Sequence, residues 1–425
     1  LRMVESRRTA PLETILEHLS LRPAAGCEDL IAFKSSGQLT LGVEIELQLI
    51  DSTTLNLTPR VEDVLACAGD LRSITKEFYL STVEVNSCKC SNVHEIGRDL
   101  LEVLDRLDDI GDKLGLSFAA TGCHPFARYS DCIITPTPRY NELIDRNQWL
   151  TRRMTVYGMH VHLGMSSGDE CIRFNNFFLH FLPHLLALSA SSPFWQGEDT
   201  GLASCRPTTY EALPTAGQPY VVHSWQEFGQ LCSTLKACNA IQSLKDLWWD
   251  LRPSPALGTL EIRICDGLAS LSETLAVVAF VHALAHWFRD HASWLERVPP
   301  PPRWLARENK WRAMRYGLDA KLVTNLDGSV KPLRDDILEW CERISGKVAA
   351  LGYEPYIATL RRILTEGNSS TRQRAVYART GSLHQVVQHN IAEFCARAPR
   401  WATSEATPPP RSQLELSLDQ VDDGA

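Results

Sequence analysis

Leu41-Gly-Val-Glu-Ile-Glu-Leu-Gln-Leu-Ile50 alternates apolar and polar side chains from Val43 to Leu49. Successive side chains of a strand point to opposite faces. Glu44, Glu46 and Gln48 therefore share one face, and Val43, Ile45, Leu47 and Leu49 the other. Three further segments repeat the design. Val83-Glu-Val-Asn86 presents Glu84 and Asn86, Met159-His-Val-His-Leu163 presents His160 and His162, and Thr259-Leu-Glu-Ile-Arg-Ile264 presents Thr259, Glu261 and Arg263. One alternating strand is most simply half solvated. These segments contain no lysine and few neutral polar residues, which a merely wet face would mix in. Carboxylates packed on one face raise one another's pKa values. A divalent cation removes that cost, and oxygen ligands with an imidazole suit Mg²⁺ or Mn²⁺. Such ions, with arginine, hold the phosphates of ATP.

Working outward, the periodicity predicts helices near Val61–Ala68 and over Val93–Leu114, a strand near Tyr79–Ser87 and another over Ser117–Thr121. A helix is predicted over Asn141–Met154, a strand over Tyr157–Met165, and one long helix over Ile172–Ser189, kinked at Pro183. The stretch to about Pro219 reads as loop, Trp225–Thr234 as helix and Thr259–Cys265 as strand. Helices dominate from Ser272 to Arg397, interrupted at Pro299–Pro302. Strands early and helices late, without regular alternation, predict an α+β fold with a largely antiparallel sheet.

The formal net charge of -8 gives no support for a nucleic-acid partner. Thirteen scattered cysteines without a CxxC pair fit reduced thiols in a cytoplasm rather than a zinc site or a disulfide framework. The apolar run Thr274–Phe288 is short for a bilayer and carries His282 and His286, so it reads as a buried helix and no membrane association is expected. The expected organisation is an N-terminal extension over 1–36 with a short helix at Leu12–Leu19, one catalytic domain over 37–400, and a mobile tail over 401–425.

Eight segments in order resemble the glutamate–cysteine ligase type 2 family, in its carboxylate–amine ligase branch of weak glutamate–cysteine ligases. They are Gly42–Leu47, Val83–Asn86, Ala120–Phe126, Gly158–Gly164, Leu188–Gly197, Trp249–Pro253, Gly258–Asp266 and Trp311–Gly317, and they span roughly residues 40–390. The resemblance implies a curved antiparallel sheet with helices on its outer side, related to the glutamine synthetase catalytic domain. It implies ATP-dependent, ADP-forming amide synthesis through an acyl-phosphate, small-molecule carboxylate and amine substrates, and a homodimer. It carries metal ligation to Glu44, Glu46, Glu84, His160 and Glu261, with Glu77 a weaker candidate. Arg263 falls at the place of an arginine that contacts phosphate or substrate. The family's first motif usually has a third glutamate where this chain has Ile45, a position that alternation turns away from the metals. The segment Thr371-Arg-Gln-Arg374 matches only in part, which leaves Arg372 and Arg374 without a firm role.

Glu46 and Arg263 are thus the expected catalytic pair, and His124 and His162 the expected substrate contacts. For His124 a turn histidine satisfied by backbone is an equal reading, and for His162 a second metal ligand or a place behind the ligands. The helical pairs His180/His184 and His282/His286 read as core, as do Trp195, Trp248 and Trp249. A metal-dependent hydrolase and a ligand-binding protein with a degenerate site are the rival functions. Substrate choice is expected in loops such as Gln196–Pro219.

Overall fold

The computed structural model describes residues 31–401 except 70 and 72. The expected helix Leu12–Leu19 and the tail beyond 401 lie outside the described residues. The centre is a seven-stranded sheet in which every pairing is antiparallel. Its strands are β1 (Leu41–Asp51), β2 (Ile74–Lys76), β3 (Thr82–Asn86), β4 (Leu116–Ala119), β5 (Met159–Gly164), β6 (Leu251–Ser254) and β7 (Thr259–Ile262). The order is β6-β7-β5-β1-β3-β2, and β4 also pairs with β1. The first half of β1 pairs with β5 and its second half with β4, while β3 lies along its other edge. The chain is therefore α+β, as its pattern of elements predicts.

One face of the sheet is sealed. Val43, Ile45, Leu47 and Leu49 are at most 3% exposed and join Ile96, Leu100, Leu104 and Leu107 of the helix Val93–Leu114 in the main core. That helix starts where the Asn92 side chain accepts the Glu95 amide and ends on left-handed Gly115. The apolar run is the helix Leu271–Asp290, started by Ser270, whose side chain accepts the Glu273 amide. At 20 residues it is long enough to cross a membrane, so length does not decide its place. Burial does, because 89% of its apolar window packs inside the protein.

Several expected elements are divided. The span Ile172–Ser189 becomes the helix Gly168–Phe178, a 3₁₀ turn Leu179–Phe181 and the helix Leu182–Ser189. Pro183 sits in the first turn of the last piece, where its missing N–H costs nothing. Asn141–Met154 divides into Pro138–Asn147 and Trp149–Arg152 at Gln148, whose φ is 51°. The hairpin Lys321–Val323/Val330–Pro332 interrupts the helical half. Strand β6 escapes a reading by pattern because it contains Pro253, which an edge strand tolerates. Residues 31–36 are packed onto the core. The Trp225 indole N–H donates to the Ile31 carbonyl at 2.6 Å, and the Phe33 ring meets Trp225 edge-on. Gly258, at φ 70°, closes the β6–β7 turn, where a Cβ would lie 1.6 Å from the Lys34 carbonyl oxygen.

Candidate active site

The register of the sheet arranges the four sequence segments, with β2 and β6 at the edges, into three transverse rows on the open face. Arg252 lies opposite Glu261, and Glu261 opposite His162. His160 lies opposite Glu44, and Glu44 opposite Asn86. Glu46 lies opposite Glu84, and Glu84 opposite Thr75. Cross-strand neighbours are close enough to interact directly. The rows, with Glu77 just beyond the end of β2, gather two sets of ligand atoms, each lying within 4.8 Å of one another: Glu44, His162 and Glu261, and Glu46, Glu77 and Glu84.

In the first set His162 Nε2 is 3.0 Å from Glu44, and its Nδ1 is 2.9 Å from the Thr259 hydroxyl. Arg252 grips Glu261 with two nitrogens, at 2.9 and 3.0 Å, and Arg263 also donates to Glu261. Burial pushes the Glu261 carboxyl up, but the two guanidinium groups outweigh it and hold it below the usual range. Burial likewise opposes ionisation of Glu44, and hydrogen bonds with His160 and His162 reverse the effect. His160 stands between the sets, with Nδ1 3.0 Å from Glu44 and Nε2 4.0 Å from Glu46. Burial, then the Arg263 charge, pushes His160 down to about 4, so the ring is neutral and able to ligate.

The second set is the crowded one. Burial pushes Glu46 up to about 7 against the opposing Arg206 charge, burial with the Glu84 and Glu46 charges raises Glu77, and burial with the Glu44 charge raises Glu84. The Gly158 amide donates to Glu46 at 2.6 Å, Tyr140 donates to Glu77, and Thr75 and Asn86 donate to Glu84. Three carboxylates that resist ionising together fit a divalent cation, which favours their charged forms. The donor set, oxygen with one imidazole per group at most, suits Mg²⁺.

These sets line a cleft of about 440 Å³, flanked by Arg139, Lys245, Arg252 and Arg263 and by the β6–β7 hairpin, Pro253–Leu257. A net negative chain thus presents cations around an acidic floor. The geometry brings together Glu44, Glu46, Glu84, His160, His162, Glu261 and Arg263. Glu77, a weaker candidate by sequence, is a full member of one set. His162 and His160 both lie beside Glu44, each at 3.0 Å, and His160 Nδ1 is 3.8 Å from Glu261.

His124 is elsewhere. It is 3% exposed, lies 3.0 Å from the Leu55 carbonyl through Nε2 and accepts the Ala127 amide through Nδ1. It lines neither the cleft nor its side recess. Burial pushes it down to about 4. It is a turn histidine satisfied by backbone, and the expected substrate contact is corrected accordingly. Arg372 is buried between Glu273 and Glu393, and Arg374 pairs with Asp199, so both tie elements together away from the cleft. Trp249 is buried as expected, whereas Trp248 is half-buried and faces the cleft. The sequence reading gave no role to Arg206 or to Arg252, although Arg252 lies in the family segment Trp249–Pro253. The first lies in a stretch without periodicity; the second alternates with Leu251 and Pro253, a pattern too short to register.

The profile of Glutamate-cysteine ligase family 2 matches residues 40–389, most of the chain and every strand of the open face. The chain belongs to glutamate–cysteine ligase family 2. Among its relatives is a protein of Bdellovibrio bacteriovorus, provisionally named a glutamate–cysteine ligase 2. The two are 44% identical over 359 residues, covering 84% of this chain and 95% of that one. A protein of Gloeobacter violaceus with the same provisional name is 41% identical over 361 residues, covering 84% and 97%. The fold of this family 2 member is shared by the glutamate–cysteine ligase of Francisella tularensis, solved in complex with AMP. The TM-score is 0.62 at 13% identity, covering 91% of this chain and 93% of that one. It is also shared with a bifunctional glutathione synthetase of Pasteurella multocida, at TM-score 0.58 and 15% identity, over 85% of this chain and 52% of that one.

Proposed function

We propose that the protein is an ATP- and Mg²⁺-dependent ligase that joins a carboxylate to an amine and releases ADP and phosphate. The observation that carries the reading is the pair of adjoining ligand sets on one sheet face, bordered by arginines. In the first step a substrate carboxylate oxygen attacks the γ-phosphorus, the bond to the β-phosphate oxygen breaks, and ADP leaves. In the second the amine nitrogen attacks the acyl carbon, the carbon–oxygen bond to phosphate breaks, and the surplus proton of the amine goes to solvent.

Glu44 and Glu261, with His162 once its proton is displaced, would hold one ion and Glu46, Glu77 and Glu84 another, with His160 between them. Mg²⁺ supplies charge neutralisation and alignment for phosphoryl transfer. Arg263 neutralises charge on the transferred group, and Arg252 fixes Glu261 from the opposite side. The Ile45 side chain lies in the sealed core, so its departure from the family motif leaves the site's donors intact. No side-chain nucleophile takes part.

An ADP-release assay over paired carboxylates and amines tests the reading. ADP is expected only when carboxylate, amine and Mg²⁺ are all present. Glu46→Gln is expected to abolish it while the circular-dichroism spectrum is retained. Full activity in that variant, or nucleotide-independent hydrolysis by the wild type, would overturn the assignment.

A further inference from the structure

Arg372, Ala375, Val376 and Arg379 fall at helical spacing on one face of the helix Ser369–Thr380, and Gln385, Gln388 and His389 do the same on the helix Leu383–Cys395. Left-handed Gly381 ends the first helix, and the Ser382 side chain starts the second by accepting the Gln385 amide. The chain therefore doubles back within two residues, and the two helices pack on each other. With Arg400 and Trp401, the two faces line a concavity of about 480 Å³, slightly larger than the active-site cleft. It shares no lining residue with that cleft.

Its charges are one-sided. The chain carries a formal net charge of -8, yet no residue lining this concavity is acidic. Arg372 is buried and already neutralised by Glu273 and Glu393. Arg379 and Arg400 are exposed and have no carboxylate of the described residues within 4.0 Å. The backbone amide of Arg400 donates to Glu393 at 2.6 Å, which anchors the main chain and leaves the guanidinium without a partner among the described residues. One exposed arginine is ordinarily left to water and carries no argument. Here two unpaired guanidinium groups face one hollow with the side-chain amides of Gln385 and Gln388. Such a wall is rich in hydrogen-bond donors, and its field attracts anions.

We infer that this concavity is a second ligand site, outside the active site, for a compact polyanion of the diphosphate class, either inorganic or carried on a small organic body. Arg379 and Arg400 bind its phosphate oxygens, and Gln385 and Gln388 donate further hydrogen bonds. A guanidinium matches phosphate geometry with two parallel donors. Two unpaired arginines call for at least two negative charges, which a single carboxylate does not bring. The acidic floor of the cleft would need a metal ion to hold phosphate. This site needs none, because its walls hold no carboxylate to repel the ligand. The inference stands apart from the ligase reading.

The test titrates inorganic pyrophosphate calorimetrically into the full chain, in EDTA and at physiological ionic strength. One saturating event is expected. It should weaken by at least about 10-fold in Arg379→Gln and again in Arg400→Gln, and vanish in the double variant. Citrate, which carries its charges on carboxylates, should bind several-fold more weakly than pyrophosphate. A melt should show pyrophosphate raising the melting temperature of the wild type and not of the double variant. Gln388→Glu places a negative charge in the hollow at an exposed helical position and should weaken pyrophosphate as well, so it decides the matter if the double variant does not fold. Absence of saturable binding by the wild type overturns the inference. Binding that is unchanged in the variants puts the ion in the cleft and overturns it too, and citrate binding as tight as that of pyrophosphate overturns the phosphate class.

Discussion

Glu46 meets several demands at once. It is grouped with Glu77 and Glu84, accepts the Gly158 amide, and is pushed up to about 7 by burial. An acid whose folded pKa exceeds its ordinary value of 4.5 makes the folded state the better proton binder. Its contribution to stability is then greatest below pH 4.5 and is lost as pH rises through 7, by about 3 kcal/mol in all. On the proposed function Mg²⁺ would take the place of the proton, so the rise in melting temperature on adding Mg²⁺ should be larger near pH 8 than near pH 5. Melts at the two pH values check this, and equal rises would contradict it. Gly158 carries a second prediction at this scale. A Cβ there would lie 2.3 Å from Arg206 Nη2 and 3.2 Å from His160 Nε2. Gly158→Ala should therefore displace Arg206 and lower ligase activity by about 100-fold, while a melt shows the protein still folded.

At the scale of elements, the strands of the open face were legible because alternation states both faces at once. Alternation placed Glu44, Glu46, Glu84, His160 and Glu261 each on the polar face of its own strand, and the family resemblance singled them out as one set. Which imidazole joins which carboxylates could not be read, because it depends on register between strands about a hundred residues apart. Arg206 was hidden for a related reason: its place follows from the packing of a loop onto the end of β7, where Asp266 accepts from Ser191, Ser192 and Ser204. The helix Leu271–Asp290 makes its own prediction. His282 spans from the Leu39 carbonyl to the Tyr353 hydroxyl, at 2.9 and 2.8 Å, and burial pushes it down to about 3. A histidine buried in its neutral form lends stability above its ordinary pKa of 6.5 that is lost as pH falls. His282→Leu should cost about 2 kcal/mol at neutral pH and should flatten the decline in stability toward acid, both measured by urea unfolding. Arg372 fastens the same helix, through Glu273, to the helix Leu383–Cys395, through Glu393. Arg372→Met leaves Glu273 without its cation and Glu393 with only His389, and should cost about 3–5 kcal/mol in the same experiment.

At the scale of the whole molecule, the sheet draws its strands from residues 41 to 262, and later helices complete its sealed side. No stretch of chain holds a core of its own within the main cluster. Heating should accordingly give one calorimetric transition whose van't Hoff and calorimetric enthalpies agree; two separated transitions would contradict it. The contact of residues 31–36 with the β6–β7 turn bears on how the protein is handled at the bench. A shortened version begun at residue 37, where the family profile nearly starts, would strip Trp225 of its acceptor at Ile31 and remove the backbone lying against Gly258. The hairpin freed by that cut carries Pro253–Leu257, a wall of the cleft, so a version trimmed for convenience would report the weak catalysis of a loosened rim rather than that of the enzyme.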